Sequence, residues 1–246
     1  MTLPSHWWFF LLWAFGAEVI GTIAGFGAAT ILTPIAACFM EIKMAIAVVA
    51  CFHLFGNASR LIFFGRSIHW PTWAQFGLTG VACSFLGARL AVRWPSATLT
   101  FVLGVFLLLY VVASLAAAER MRLPATRGTL MLGGASSGLI AGLIGTGGAI
   151  RSACLLAFGL PKEVYLGTSA ALALVVDATR VPVYLSEHLL VGRGLGVASL
   201  ILVAFAGSWL GQRVVRRVAA HAFHRFILVM LALMGCKFLV DGWRGL

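Results

Sequence analysis

The sequence predicts an all-α polytopic membrane protein, built as two homologous halves of four apolar segments each. Hydrophobic residues make up 61% of the 246-residue chain and charged residues only 10%. Apolar runs long enough to cross hydrocarbon, about 20 residues each, recur from end to end. A soluble domain of this length needs more polar surface to cover its core. The short segments of alternating polarity that form a transmembrane β-barrel are missing from the sequence.

Eight apolar segments follow one another, separated by short polar connections. The most polar connection, residues 119–124, lies near mid-chain. It separates an N-terminal transmembrane repeat, 1–118, from a C-terminal one, 125–246. The predicted segments are 7–38, 42–64, 72–92, 97–117, 128–159, 162–185, 194–215 and 222–241.

The first and fifth segments are too long for one simple crossing. A helix of about 32 residues reaches roughly 48 Å, against a hydrocarbon core of about 30 Å. Each contains a glycine cluster, GTIAGFGAA at 21–29 and GLIAGLIGTGGA at 138–149. Because lipid cannot satisfy bare backbone, the sequence predicts a bend, an unwound turn or a re-entrant hairpin at each cluster, facing protein or water.

Three landmarks recur in the same order in both halves, which predicts an internal duplication. Two-fold repeats with broken helices are typical of transporters that bind substrate near the bilayer midplane. Four crossings in each half would make the halves parallel and five would make them inverted, so the sequence leaves their orientation open. The matched pairs are GTIAG at 21–25 with GLIAG at 138–142, NASR at 57–60 with DATR at 177–180, and LGAR at 86–89 with LGQR at 210–213.

The charge and motif content excludes several function classes. The net charge is +11, but most basic residues fall in short connections, where they orient helices and meet anionic headgroups. We therefore expect the lipid bilayer as a partner and no nucleic acid, and a homo-oligomer is compatible with the sequence. The five cysteines lack metal-ligand spacing, so we expect no metal and no cofactor. The sequence contains no HExxH motif of the kind found in metalloproteases, so we do not expect an enzyme.

The two glycine-rich stretches resemble the sulfite exporter TauE/SafE family of membrane transporters. GTIAGFGAATILTPIAA at 21–37 and GLIAGLIGTGGAIRSACLLAFGLP at 138–161 are similar to the family's glycine-rich stretch leading to a proline and a short apolar helix. The resemblance covers nearly the whole chain. It implies a carrier for sulfite, sulfonates or related small organic anions in the cytoplasmic membrane. Arg151 and Ser152 depart from the family pattern, and Pro34 has no counterpart in the second half. These departures affect the identity of the substrate more than the class of protein.

Arg151 is the strongest candidate for binding an anionic substrate. A charge at mid-bilayer costs about 2.5–3.5 kcal/mol or more, and Arg151 directly follows the GTGG break, where a half-helix would begin. A helix N-terminus offers unpaired N–H groups, and a guanidinium binds oxyanions bidentately. The alternative is an arginine that reaches the interface or pairs with an acid to hold helices together.

The residues of the two breaks are the predicted backbone part of the same site. Glycine permits positive φ and the close approach that a backbone anion site needs. Their alternative role is close packing of helices. The candidates are Gly25, Gly27, Gly145, Thr146, Gly147 and Gly148.

Arg60 and Arg180 occupy matched positions, each three residues after a polar side chain. Asp177 and Arg180 share one helix face and are predicted to form an ion pair. Asn57 cannot neutralise Arg60, so we expect Arg60 to be freer to meet the anion. Structural pairing near the membrane edge is the alternative for both arginines.

Glu18 and His53 are the candidates for coupling anion movement to protons. Glu18 lies about one turn before the first glycine break, and a buried carboxylate can titrate. His53 lies one turn before Asn57. For both, the alternative is a hydrogen bond that holds helices together. An intramembrane enzyme or a structural membrane subunit remains the alternative to transport for the whole chain.

Overall fold

The computed structural model describes residues 7–24, 27–65, 67–116, 123–190, 194–214 and 221–246. Within these ranges it contains ten α-helices and no β-strand. Five of the helices described, those that begin at Ile42, Trp70, Ser96, Lys162 and Gly194, are long and apolar enough to cross a membrane. The prediction of an all-α polytopic membrane protein is confirmed. In chain order the helices are α1 (Trp7–Ala24), α2 (Ala29–Phe39), α3 (Ile42–Phe64), α4 (Trp70–Arg93), α5 (Ser96–Ala116), α6 (Arg127–Ile144), α7 (Gly148–Leu156), α8 (Lys162–Ser186), α9 (Gly194–Val214) and α10 (His221–Gly245).

Both long segments are divided at their glycine clusters, as predicted. The first becomes α1 and α2, and the fifth becomes α6 and α7. Gly27 and Gly145, which lie in the two breaks, have φ values of +88° and +80°. A side chain disfavours this left-handed conformation, so glycine allows the helix to end there. Each of the other six predicted segments corresponds to one helix.

The chain reverses direction at each break, so α1–α2 and α6–α7 are helical hairpins. Phe10, near the start of α1, packs against Phe39 at the end of α2, with ring centroids 6.0 Å apart. In the second hairpin, a Cβ atom on Gly147 would collide with the carbonyl oxygen of Ser137, and one on Gly133 would collide with Cys154 Sγ. The re-entrant hairpin is thus the form that both breaks adopt.

Contacts between helix ends define two faces of the bundle. At the first face, where α1 begins, Trp7 Nε1 donates to Ser199 Oγ of α9 at 3.0 Å. At the second face, the His69 N–H before α4 donates to Thr168 Oγ1, near the start of α8, at 2.9 Å. Because α8 begins directly after α7, both ends of the second hairpin lie at the second face. Both ends of the first hairpin lie at the first face.

In a two-fold repeat, each contact between helices of opposite halves has a counterpart in which the two halves are interchanged, and the helix pairs of this bundle follow that rule. Helix α1 packs against α9 as α6 packs against α4, and α3 packs against α9 as α8 packs against α4. The pairs α3–α8 and α5–α10 are formed by corresponding helices. Each half has one re-entrant hairpin and three further helices, an odd number, so the second half runs opposite to the first. These contacts support the duplication, which together with its boundaries stays a prediction. Residues 119–122 of the linker lie outside the described residues.

The outer helices present large apolar side chains away from the bundle. Leu78 on α4, Leu109 on α5, Leu202 on α9 and Leu233 on α10 are all exposed. In water such a surface would be costly, whereas in a bilayer it faces acyl chains. The polar side chains discussed below are instead buried between α1, α3, α7, α8 and α9.

Candidate functional site

The tips of the two hairpins meet inside the bundle. Thr146, in the second break, donates to Thr30 Oγ1 at 3.0 Å, and Thr33 donates to the carbonyl oxygen of Gly145 at 3.3 Å. All four residues are buried. Since α2 and α7 both begin at these tips, the partially positive N-terminal ends of both helices lie in one region.

Arg151 lies in the first turn of α7, where its backbone N–H makes the first intrahelical bond to Gly147. Its side chain does not reach the interface, because the residue is only 4% exposed. Nε donates to Ser169 Oγ of α8 at 3.1 Å. A Cβ atom on Gly27 would lie 3.6 Å from Arg151 Nη2, so the guanidinium extends to the tip of the first hairpin.

His53 of α3 packs directly against the backbone of Gly27. A Cβ atom on Gly27 would collide with His53 Nε2, which explains why this position needs glycine in addition to its positive φ. Nε2 is buried and has no hydrogen-bond partner among the described residues. His53 Nε2 and the Arg151 guanidinium therefore approach the same backbone segment from two sides.

Asp177 is the centre of a network that joins α3 to α8. Its Oδ2 lies 2.8 Å from His53 Nδ1 and accepts from Asn57 Nδ2 at 3.1 Å. Its Oδ1 lies 2.7 Å from Arg180 Nη2, so the ion pair predicted from the spacing is present. Arg180 Nη1 also donates to the carbonyl oxygen of Ala141 at 2.5 Å, which ties the network to α6.

Arg60 is held by a partner that the sequence did not indicate. Its Nη2 lies 2.5 Å from Glu18 Oε1, its Nε donates to Thr22 Oγ1 and its Nη1 donates to Asn57 Oδ1, both at 3.0 Å. The expectation that Arg60 is freer than Arg180 is wrong, because Glu18 on α1 supplies the neutralising carboxylate. Both arginines are buried and each is paired with a carboxylate, so the structural pairing that the sequence offered as the alternative is present for both.

The glycines of the breaks divide between two roles. Gly27 and Gly145 adopt positive φ, while Gly147 approaches α6, where Ser137 Oγ donates to its carbonyl oxygen at 2.8 Å. Gly148 begins α7. Gly25 lies outside the described residues.

Ser208 is a site residue that sequence analysis missed. Its Oγ donates to Glu18 Oε1 at 2.6 Å and also contacts the carbonyl oxygen of Gly56 at 3.2 Å. In the other half, Ser84 Oγ donates to the carbonyl oxygen of Val176 at 3.3 Å. Ser84 and Ser208 share the offset of LGAR and LGQR in the sequence, so the repeat alignment contained the signal for Ser208.

The formal charges of this buried cluster leave an excess of one positive charge when His53 is neutral. The carboxylates are those of Glu18 and Asp177, and the guanidiniums are those of Arg60, Arg151 and Arg180. Glu18 pairs with Arg60 and Asp177 pairs with Arg180. A cluster of this kind favours a negatively charged ligand.

Paired re-entrant hairpins that enter from opposite faces and meet beside buried charged groups are the arrangement of a membrane transporter. The family description "Sulfite exporter TauE/SafE" matches residues 10–238 of the chain. The chain therefore belongs to this family of membrane transporters. No curated protein and no solved structure matches it.

Proposed function

We propose that the protein carries a small anion, such as sulfite, an organosulfonate or a related organic anion, across the cytoplasmic membrane as a secondary carrier or facilitator. The observation that carries the proposal is the convergence of Arg151 with the tips of both hairpins. A guanidinium and two helix N-termini together replace the hydration shell of an oxyanion. The excess positive charge of the cluster supports the same ligand class.

In this proposal the residues have different roles. Arg151, Gly27 and the second break, 145–148, contact the anion. Asn57, Arg60, Asp177 and Arg180 form the frame that fixes α3 against α8 and keeps the remaining charges balanced. Because the two hairpins open at opposite faces, movement of each one controls access to the anion from its own face.

An intramembrane enzyme is the second candidate, and one sequence pattern resembles an enzyme motif. GASSG at 134–138 has the GxSxG spacing of the nucleophile elbow in α/β-hydrolases. An elbow requires a sharp turn between a strand and a helix. Ser136 instead lies within α6, is exposed, and donates to the carbonyl oxygen of Leu132 at 2.7 Å. The pattern therefore lacks the geometry of a nucleophile.

The test is anion flux in proteoliposomes containing the purified protein, with sulfite, sulfoacetate and methanesulfonate as substrates. We expect Arg151→Gln to reduce the flux by about 10- to 100-fold, since hydrogen bonds to charged groups contribute about 1.5–3 kcal/mol. Arg213→Gln is the matched control, because Arg213 is exposed and its guanidinium lies 3.8 Å from the ring centroid of Trp209 on its own helix.

The outcomes separate the candidates. If the native protein carries none of these anions, the proposal is wrong. If Arg151→Gln and Arg213→Gln both retain native flux, Arg151 has a structural role and the anion binds elsewhere.

A further inference from the structure

We propose that His53 takes up a proton when the anion binds, so that the transporter carries a small oxyanion together with one proton. This inference rests on the proposed function and assigns the coupling ion to it. It follows from the two different environments of the imidazole nitrogens, the position of Nε2 at the hairpin tip, and the charge of the surrounding cluster.

The Nδ1 side of the imidazole fixes the tautomer of neutral His53. Nδ1 lies 2.8 Å from Asp177 Oδ2, a carboxylate oxygen that can only accept a hydrogen bond. Asn57 Nδ2 also lies 3.1 Å from Nδ1, but it donates to the same Asp177 oxygen at 3.1 Å. The proton of the neutral ring is therefore on Nδ1, and Nε2 carries a lone pair. The opposite tautomer would place a lone pair on Nδ1 against the carboxylate.

The Nε2 side of the ring is directed to the proposed anion site. Nε2 lies where a Cβ atom of Gly27 would project, and Arg151 Nη2 is 3.6 Å from that same position. His53 is 3% exposed, and its Nε2 has no hydrogen-bond partner among the described residues. A lone pair at this position repels the oxygen atoms of an anion held by Arg151.

Protonation reverses this effect. The imidazolium presents an N–H at Nε2, which donates to an oxyanion, while Asp177 continues to accept from Nδ1 and stabilises the positive ring. The proton comes from the aqueous face to which the site is open, and no covalent bond of the substrate is formed or broken. Anion and proton thus stabilise each other at one site, which is a linkage between two ligands.

The charged groups around His53 fit this linkage. Asp177 of α8 contacts Nδ1 and is paired with Arg180, and Arg151 of α7 approaches Gly27 beside Nε2. Arg60, two turns further along α3, is neutralised by Glu18 of α1. With neutral His53 the cluster has one excess positive charge, and protonation raises the excess to two. The loaded site is therefore neutral with a dianion such as sulfite, and it retains one positive charge with a monoanionic sulfonate.

Proton uptake is measured by titrating the full-length protein in detergent with sulfite or methanesulfonate, using calorimetry in two buffers of different ionisation enthalpy at about pH 7.5. The readout is the difference in protons bound between the native protein and His53→Gln, taken with methanesulfonate because this anion does not itself titrate near pH 7.5. Glutamine offers an N–H near the position of Nε2 but cannot titrate. His188→Asn, at an exposed histidine between α8 and α9, is the control.

We expect the native protein and His188→Asn each to bind about one proton more per anion than His53→Gln does. His53→Gln should also bind the anion about tenfold more weakly, because it lacks the positive charge. Equal proton uptake by the native protein and His53→Gln would overturn the inference and leave the proposed function standing. If the native protein binds and carries neither anion, the proposed function fails, and the inference fails with it.

Discussion

At the residue scale, two arginines at matched positions are neutralised in different ways. Arg180 pairs with Asp177 on its own helix, whereas Arg60 pairs with Glu18 on another helix. Each pair lies in the interior, where a charge without a partner is costly. The same charge balance is thus reached by one local pair, visible from the spacing, and one distant pair, visible only in the fold.

Replacing Glu18 by glutamine removes the charge that balances Arg60. We expect Glu18→Gln to lower the free energy of unfolding by about 3–5 kcal/mol, because it leaves a buried guanidinium without its carboxylate. Denaturation in detergent micelles measures this change. The double variant Glu18→Gln/Arg60→Met removes both charges and should recover part of the loss.

The matched control for Glu18→Gln is Asp241→Asn, which breaks the exposed pair with Lys237 on α10. Exposed pairs contribute about 0–1 kcal/mol, so Asp241→Asn should have little effect. Equal losses in Glu18→Gln and Asp241→Asn would show that the Glu18–Arg60 pair has no special importance for stability.

At the element scale, the hairpins depend on glycines for two separate reasons. Positive φ at Gly27 and Gly145 ends one helix, while the missing side chain at Gly147 lets α7 return along α6. The hydroxyl groups of Thr30 and Thr146 then join the two tips. The breaks are therefore defined turns with hydrogen-bond partners, as the lack of water in a bilayer requires.

A methyl group at Gly147 should impair transport. In Gly147→Ala the Cβ atom collides with the carbonyl oxygen of Ser137, which belongs to helix backbone and cannot move aside. The start of α7 must shift, and Arg151 moves with it. We expect at least a tenfold loss of anion flux, since displacement of a binding group by about 1 Å costs on the order of 10²-fold.

Gly16→Ala is the matched control, because a Cβ atom on Gly16 meets nothing within 4 Å. Alanine is the better helix former, so this variant should keep native flux and gain about 0.5–1 kcal/mol in stability. Native flux in Gly147→Ala would mean that the close approach of α7 to α6 is not needed for transport.

At the scale of the whole molecule, the two halves have similar helix pairs but different spacing. Helix α2 contacts α10, whereas an apolar cleft of about 920 Å³ lies between the corresponding helices α7 and α5. Residues such as Tyr110 and Ile150 line this cleft. In a transporter with inverted halves, such a difference is expected when the site is accessible from one face only.

The inverted arrangement also predicts the orientation in the membrane. Leaving out the buried Arg60, the second face has nine Lys or Arg residues in or within five residues of its connections, against five at the first face and the C-terminus. Positive residues in short connections favour the cytoplasmic side, so the second face should be cytoplasmic. By sequence position, the nine are Arg66, Arg120, Arg122, Arg127, Lys162, Arg213, Arg216, Arg217 and Arg225, and the five are Lys43, Arg89, Arg93, Arg193 and Arg244.

This orientation places Trp7 and the end of α10 at the extracytoplasmic face. Alkaline phosphatase fused after Leu246 should therefore be active, and a green fluorescent protein at the same position should be dark. The reverse result would assign the second face to the outside. A fusion at Pro124, shortly before α6 begins at the second face, is the internal control and should give the opposite pair of signals.

The sequence by itself determined the helical membrane class, the positions of the helices and both glycine breaks. These follow from the length of apolar runs and from glycine's backbone freedom, which are local properties of the chain. It also indicated the pair of Asp177 with Arg180, because residues three apart share a helix face. The family resemblance was confirmed by the match over residues 10–238.

Only the tertiary structure decided which distant groups meet. The contact of His53 with Gly27 and Asp177, and that of Glu18 with Arg60, join helices whose rotation and direction are set by packing over the whole bundle. The inverted direction of the halves has the same origin, because apolar composition is identical for a helix that runs inward or outward. Long-range pairing of charges is therefore fixed when the helices pack, since only then does the interior exclude the water that would otherwise solvate them.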